Sequence, residues 1–234
     1  MKRLIAFLVL AVALNSCEMG VVGNGNVQTQ KRSVETFNRV ELSGMFEVYI
    51  RQGETPALTL KTDENLLELI ETEVRSEELE IRSTKSIRKA KELAVYITVR
   101  ELESIEISGA ASIITEGELR SAKLELQCSG ACEANMDLKC DELNIDVSGA
   151  AELNLQGIAE QLDIRSSGAC EINAFELKTL KTKVNISGAG EVDVYVSEDL
   201  RVDASGAAEV RYKGTPRNIS QEASGASSVK PYTR

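Results

Sequence analysis

The chain has no histidine and no tryptophan, and aromatic residues fill only 4% of its 234 positions. Without histidine, Ser-His-Asp and Cys-His catalysis and His-ligated zinc sites are excluded. Without tryptophan, little is left from which to build a stacking platform for sugars. Basic residues are also outnumbered, 27 against 37 acidic ones. Residues 1–16 hold two of the basic residues and no acidic one, so the remainder carries 25 − 37 = −12. That balance argues against nucleic acid as a partner, because phosphate contacts need clustered Lys and Arg. Beyond the first residues, no apolar run is long enough to span a membrane.

The first residues are an address. Lys2 and Arg3 precede an unbroken apolar run, Leu4 to Leu14. A bilayer span takes ~20 apolar residues, so residues 1–16 read as a signal peptide. Leu14-Asn15-Ser16-Cys17 resembles the lipobox of bacterial lipoproteins. That resemblance implies cleavage before Cys17, a thioether-linked diacylglycerol on its sulfur, and acylation of the new amine. Each buried CH₂ contributes ~0.8 kcal/mol, so several acyl chains anchor firmly where one would not. Glu18 in the next position favours delivery to the outer membrane. Residues 17–27, with Gly20, Gly23 and Gly25, read as a short tether.

A repeat organises the rest of the chain. Ser-Gly-Ala recurs at 108–110, 129–131, 148–150, 167–169, 187–189, 205–207 and 224–226, with serines 21, 19, 19, 20, 18 and 19 residues apart. Apolar residues alternate with polar ones on both sides of it, as in Ile105, Ile107, Ile113 and in Ile145, Val147, Leu153. This is the strand signature, one face buried and one wet. No single unit can bury its apolar face, but stacked units share one core. The expected fold is therefore all-β, a single-chain parallel β-helix (β-solenoid) with turns of about 19 residues, right-handed by the usual preference of parallel crossovers. Glycine suits each bend because it accepts positive φ. Residues 102–234 form the regular repeats, and residues 28–101 a degenerate N-terminal part beginning with Ser43-Gly44. The 65 residues from Ser43 to Ser108 would supply about three further turns, with strands at 57–61, 78–82 and 94–99 and a capped helical turn at 63–70. Pro231 and the polar residues around it would cap the far end.

Several segments resemble the head GIN domain family of autotransporter adhesins. They are Gly23-Asn24-Gly25-Asn26-Val27, Phe37-Asn38-Arg39-Val40, Val48-Tyr49-Ile50-Arg51-Gln52-Gly53, Asp63-Glu64-Asn65-Leu66-Leu67 and Leu102 through Ala110. The resemblance covers essentially the whole mature chain. It implies a β-helical envelope protein of Gram-negative bacteria with no established activity.

Stacking would line up equivalent residues as columns ~4.8 Å apart. The serines point outward, where hydroxyls satisfy bend backbone groups. Four residues after each serine comes a glutamate column, Glu133, Glu152, Glu171, Glu191 and Glu209; two further on come Asn135, Asn154 and Asn173. This face reads as a solvated surface that repels aggregation, or as a surface ladder for a glycan or protein ligand. Its oxygens would also suit a hard cation such as Ca²⁺. No other metal and no cofactor is expected. Cys128, Cys132 and Cys170 fall at inward positions and Cys140 in a return loop. They read as buried free thiols, with a Cys128–Cys132 bridge across one bend also open.

The expected function is a non-catalytic envelope lipoprotein, most naturally of the outer membrane, presenting a β-helical face for adhesion or surface assembly. The alternatives are a polysaccharide lyase or hydrolase on the same scaffold, and a spacer with no ligand. An enzyme would need an off-pattern cluster of carboxylates and a basic residue, and short uniform loops with few aromatics do not supply one.

Overall fold

The computed structural model describes residues 20–233. The signal peptide and Cys17 lie outside the described residues. Nine strands precede the regular repeats. They are β1 (Val21–Val22), β2 (Val27–Arg32), β3 (Arg39–Ser43), β4 (Met45–Gln52), β5 (Ala57–Asp63), β6 (Ile70–Arg75), β7 (Glu78–Ser83), β8 (Ile87–Lys89) and β9 (Leu93–Val99), with a 3-10 helix at Glu64–Leu69. The repeats comprise β10 (Ser104–Ile107), β11 (Ala110–Thr115), β12 (Leu119–Cys128), β13 (Ala131–Val147), β14 (Ala150–Ser166), β15 (Ala169–Ile186), β16 (Ala189–Ala204), β17 (Ala207–Lys213), β18 (Asn218–Ala223) and β19 (Ser228–Pro231).

The repeats stack as successive coils of a parallel β-solenoid. Ile105 pairs with Leu126, Leu126 with Ile145, Ile145 with Ile164 and Ile164 with Val184, so one inward column runs through the molecule. The alternation that marked strands in the sequence is the alternation of burial: Cys132, Ala134, Met136 and Leu138 are buried while Glu133 and Asn135 are exposed. Inward parity breaks at Asp141-Glu142, where two consecutive side chains leave the core and the chain turns a second corner. The stretch expected as a return loop is thus strand, and Cys140 lies buried in β13. Cys128, Cys132 and Cys170 are also buried and unbridged. No helix among the described residues is long and apolar enough to cross a membrane.

The ladder continues through each bend. The Ala131 amide donates to Gly109 O at 2.9 Å, and the Ala150 amide to Gly130 O at 2.9 Å. Most bend glycines are needed for a reason other than the expected positive φ, which occurs only at Gly44, Gly206 and Gly225. A Cβ on Gly130 would lie 1.8 Å from Gly109 O, and one on Gly168 1.9 Å from Gly149 O. Each bend therefore sits on the carbonyl of the bend beneath it. The serine hydroxyls serve the same joint: Ser129 donates to Ile107 O at 3.1 Å and Ser205 to Ile186 O at 3.4 Å.

The N-terminal region departs from the expected order. The Ser43 coil stacks directly on the Ser108 coil: Val40 pairs with Ile105, Val48 with Ile113, and the two serine hydroxyls lie 2.7 Å apart. Residues 57–99 do not intervene as three turns. They fold back beneath β3 and β4, where β7 and β9 pair in parallel and then β6, β5 and β2 continue antiparallel. This excursion is a cap, with Leu58, Leu60, Leu79 and Ile97 closing the core.

Residues 20–27 belong to the cap rather than to a free tether. The Val21 amide donates to Ser86 O at 2.8 Å and the Gly23 amide to Lys89 O at 2.7 Å. Asp63, expected to cap a helix through its side chain, makes no such cap bond. Its carboxylate is fully buried and accepts hydrogen bonds from the amides of Gly25 and Lys91, the latter at 2.7 Å. Burial pushes this carboxyl up, but the amides of Lys91, Gly25 and Glu92 and its own outweigh that and hold it below the ordinary range.

At the other end β18 and β19 add a last coil on β16 and β17. No cap covers it among the described residues: every residue of β18 is exposed, and Ile219 keeps 46% of its surface.

Candidate functional site

Strand pairing builds two adjacent columns on one outward face. Glu133 pairs with Glu152, Glu152 with Glu171, Glu171 with Glu191 and Glu191 with Glu209. Toward the cap the column continues through Ser112 to Glu47. Beside it Asn135, Asn154 and Asn173 are matched in the same way, and the column goes on to Asp193 and Arg211. Each side chain is placed by the alternation of its strand, since apolar neighbours such as Leu153 and Ile172 must face the core.

The two ends of this face differ electrostatically. Arg211 grips Asp193 with two bonds, Nε to Oδ1 at 2.6 Å and Nη2 to Oδ2 at 2.7 Å, and also bonds the Glu191 carboxylate. The Asp193 bond and the neighbouring acids raise the already high Arg211 pKa. Lys230 pairs with Glu209 at 2.9 Å and holds that carboxyl below its ordinary value. Among the described residues, Glu133, Glu152 and Glu171 are in no ion pair. Neighbouring carboxylates ~4.8 Å apart repel by roughly 0.9 kcal/mol in water, a cost that splaying and salt reduce. The unpaired acids thus concentrate on the middle coils.

Along the bends a furrow of about 1060 Å³ runs beside the glutamates. It is lined by the alanine of each Ser-Gly-Ala, Ala110 to Ala189, and toward the cap by Lys91 and Leu93. Near the cap, Tyr49 and Tyr96 stack with ring centroids 4.8 Å apart. Tyr49 donates to Glu47 at 2.7 Å, which pushes its hydroxyl pKa up to about 12.

Among the described residues, no group of three or more His, Cys, Asp or Glu converges as a metal site. The acids are strung along the stack instead of meeting at a point, so the face can hydrogen-bond and attract cations over a long track. Sequence reasoning missed the Arg211 clamp and the furrow. Arg211 and Lys230 fall six residues after their serines, in the column of the asparagines, so the same count along the repeat would have found them. The furrow had no such signal, because part of its lining comes from the cap.

A capped parallel solenoid carrying a repeated acid-and-amide face defines the structural class. The chain belongs to the family described as "Putative auto-transporter adhesin, head GIN domain", whose model matches residues 36–216. Among curated proteins no sequence matches it. Crystal structures of other bacterial proteins share the fold. An adhesin-named protein of Bacteroides fragilis superposes with a TM-score of 0.87 at 23% identity, covering 91% of this chain and 100% of that one. An adhesin-named protein of Parabacteroides merdae gives 0.70 at 22%, covering 91% and 99%. A protein of Parabacteroides distasonis named for lipid binding gives 0.65 at 23%, with the same coverage.

Proposed function

We propose that this chain is a non-catalytic lipoprotein of the cell envelope, anchored through lipid on Cys17 in the outer membrane, whose solenoid presents its acid-and-amide face for adhesion or surface assembly. The observation that carries this reading is the run of unpaired Glu133, Glu152 and Glu171 beside Asn135, Asn154 and Asn173, repeated at coil spacing on an open face. A polymer with a regular repeat meets the same donors and acceptors at each step, so weak contacts sum along the track. The adhesin names of the family and of its structural neighbours agree with this. Ca²⁺ fits the same reading as a bridging ion, since carboxylate and amide oxygens are its preferred ligands. An array of glycans and envelope proteins tests the proposal, with Glu133→Gln/Glu152→Gln/Glu171→Gln as control and Ca²⁺ present or absent. The expected result is at least one ligand class retained by the native chain and lost by the triple variant. A flat array favours a spacer, and unsaturated products released from acidic polysaccharides would favour a lyase.

A further inference from the structure

One segment reverses the charge of the molecule. Residues 85–91 read Lys-Ser-Ile-Arg-Lys-Ala-Lys, four basic side chains and no acid. With residues 1–16 removed the chain carries −12, so outside this segment the balance is −12 − 4 = −16. All four basic residues are exposed, and among the described residues none takes part in an ion pair. Carboxylates of the cap are paired with other basic side chains, Glu92 with Lys61 and Glu71 with Arg82. Glu92, the residue that follows the segment, is engaged by Lys61, and the Asp63 carboxylate beside Lys91 is buried, so neither forms an ion pair with the segment.

Its position is the second observation. β8 lies inside this segment and pairs with β1. The Val21 and Gly23 amides bond Ser86 O and Lys89 O, and a Cβ on Gly20 would lie 2.9 Å from Ser86 O. The backbone from residue 20 is therefore fixed against the basic strand. Cys17 precedes Gly20 by three residues, and three residues reach at most about 11 Å. A lipid on Cys17 is therefore tethered close to the place where Gly20 is docked. Val22, beside it, keeps 41% of its surface exposed, as suits a side chain at a headgroup boundary.

We propose that Lys85, Arg88, Lys89 and Lys91 form a membrane-seating surface that holds the cap end of the solenoid on anionic phospholipid headgroups. The proposal rests on lipidation of Cys17. Lipid insertion and basic side chains reinforce each other, because the acyl chains hold the patch within a Debye length of the surface. There each Lys or Arg adds about a fivefold preference for anionic over neutral lipid. The same charge keeps the acidic coils, which such a surface repels, directed away from it.

The test uses the mature protein purified from membranes of a bacterium expressing the whole chain, in vesicles of phosphatidylcholine alone or of phosphatidylcholine with phosphatidylglycerol. Amine labelling is read by mass spectrometry at Lys85, Lys89 and Lys91, with Lys139 and Lys178 on later coils as references. Labelling of the three is expected to slow about fivefold on the anionic vesicles only, and to recover in high salt. The same digest reports the mass of the N-terminal peptide. A lipidated Cys17 with equal labelling on both vesicles overturns the seating proposal and leaves the anchor standing. An unlipidated N-terminal peptide overturns both.

Discussion

A methyl group on Gly149 would lie 2.0 Å from Gly130 O, with Ser129 O a further 2.7 Å contact. Neither oxygen can withdraw, because both belong to backbone held in the stack. Gly149→Ala must therefore push adjacent coils apart, and we expect a loss of about 3 kcal/mol in denaturant unfolding, the upper end of ordinary overpacking. The same substitution at Gly117, with open space around its Cβ position, meets only the strain of φ +95° and should cost about 1 kcal/mol. The sequence made the glycine column visible but not its cause. Recurrence at a fixed period shows that a position cannot bear a side chain, whereas the obstructing atom belongs to a residue some 19 positions away and is seen only once coils are stacked.

At the scale of single elements, the cap and the last coil are held differently. Asp63 ties the segment at Gly23–Gly25 to the loop at Lys91 through a carboxylate whose pKa is lowered in the folded protein. A depressed carboxyl contributes stability that is complete above its unfolded pKa of about 3.9 and is lost as pH falls through the folded value. Amides of Val21 and Gly23 should hence be protected from hydrogen exchange at neutral pH and lose that protection only as pH falls below the ordinary carboxylate range, before the solenoid itself opens. Asp63→Asn brings a second donor against amides that need an acceptor and should cost about 2 kcal/mol. Near the other end, Arg211→Gln leaves Asp193, only 7% exposed, without its partner. Removing one member of such a pair costs about 3 kcal/mol, and the loss should appear as faster exchange in β16 and β17.

The coils were legible at this scale and the cap was not. Ile105, Ile145 and Ile164 announce their own neighbours because each stands at the same distance from a Ser-Gly-Ala. Leu58, Leu79 and Ile97 alternate just as cleanly, yet no tripeptide marks them, and alternation states which face is buried without stating which strand lies alongside. Parallel coil and antiparallel return therefore look the same in the sequence. The glutamate and asparagine columns could be laid out in advance because they sit within counting distance of the marker. The docking of residues 20–23 on β8 could not, since a short glycine-flanked segment and a basic run carry no register.

Across the whole molecule, stability is a sum of coil-to-coil interfaces closed by a cap at the N-terminal end. Opening should begin at β18 and β19, whose side chains are exposed apart from the half-buried Val229, and proceed toward the cap. Hydrogen exchange read along the inward columns is expected to give a monotonic rise in protection from Ile219 through Val202 and Val184 to Ile145. Equal protection throughout would mean that the stack unfolds as one unit.

Coil-by-coil construction also makes length a separable property. Excising residues 129–147, 147 − 129 + 1 = 19 positions, would bring Gly149 over Gly109 and Leu126 beside Ile164 with every column kept in phase. Such a protein should fold and be shorter by about 4.8 Å. Duplication of the same piece would push the tip outward by one increment while the base kept its shape. A lineage could therefore lengthen or shorten the reach of this molecule in whole steps, as on the graduations of a ruler, without redesigning either end.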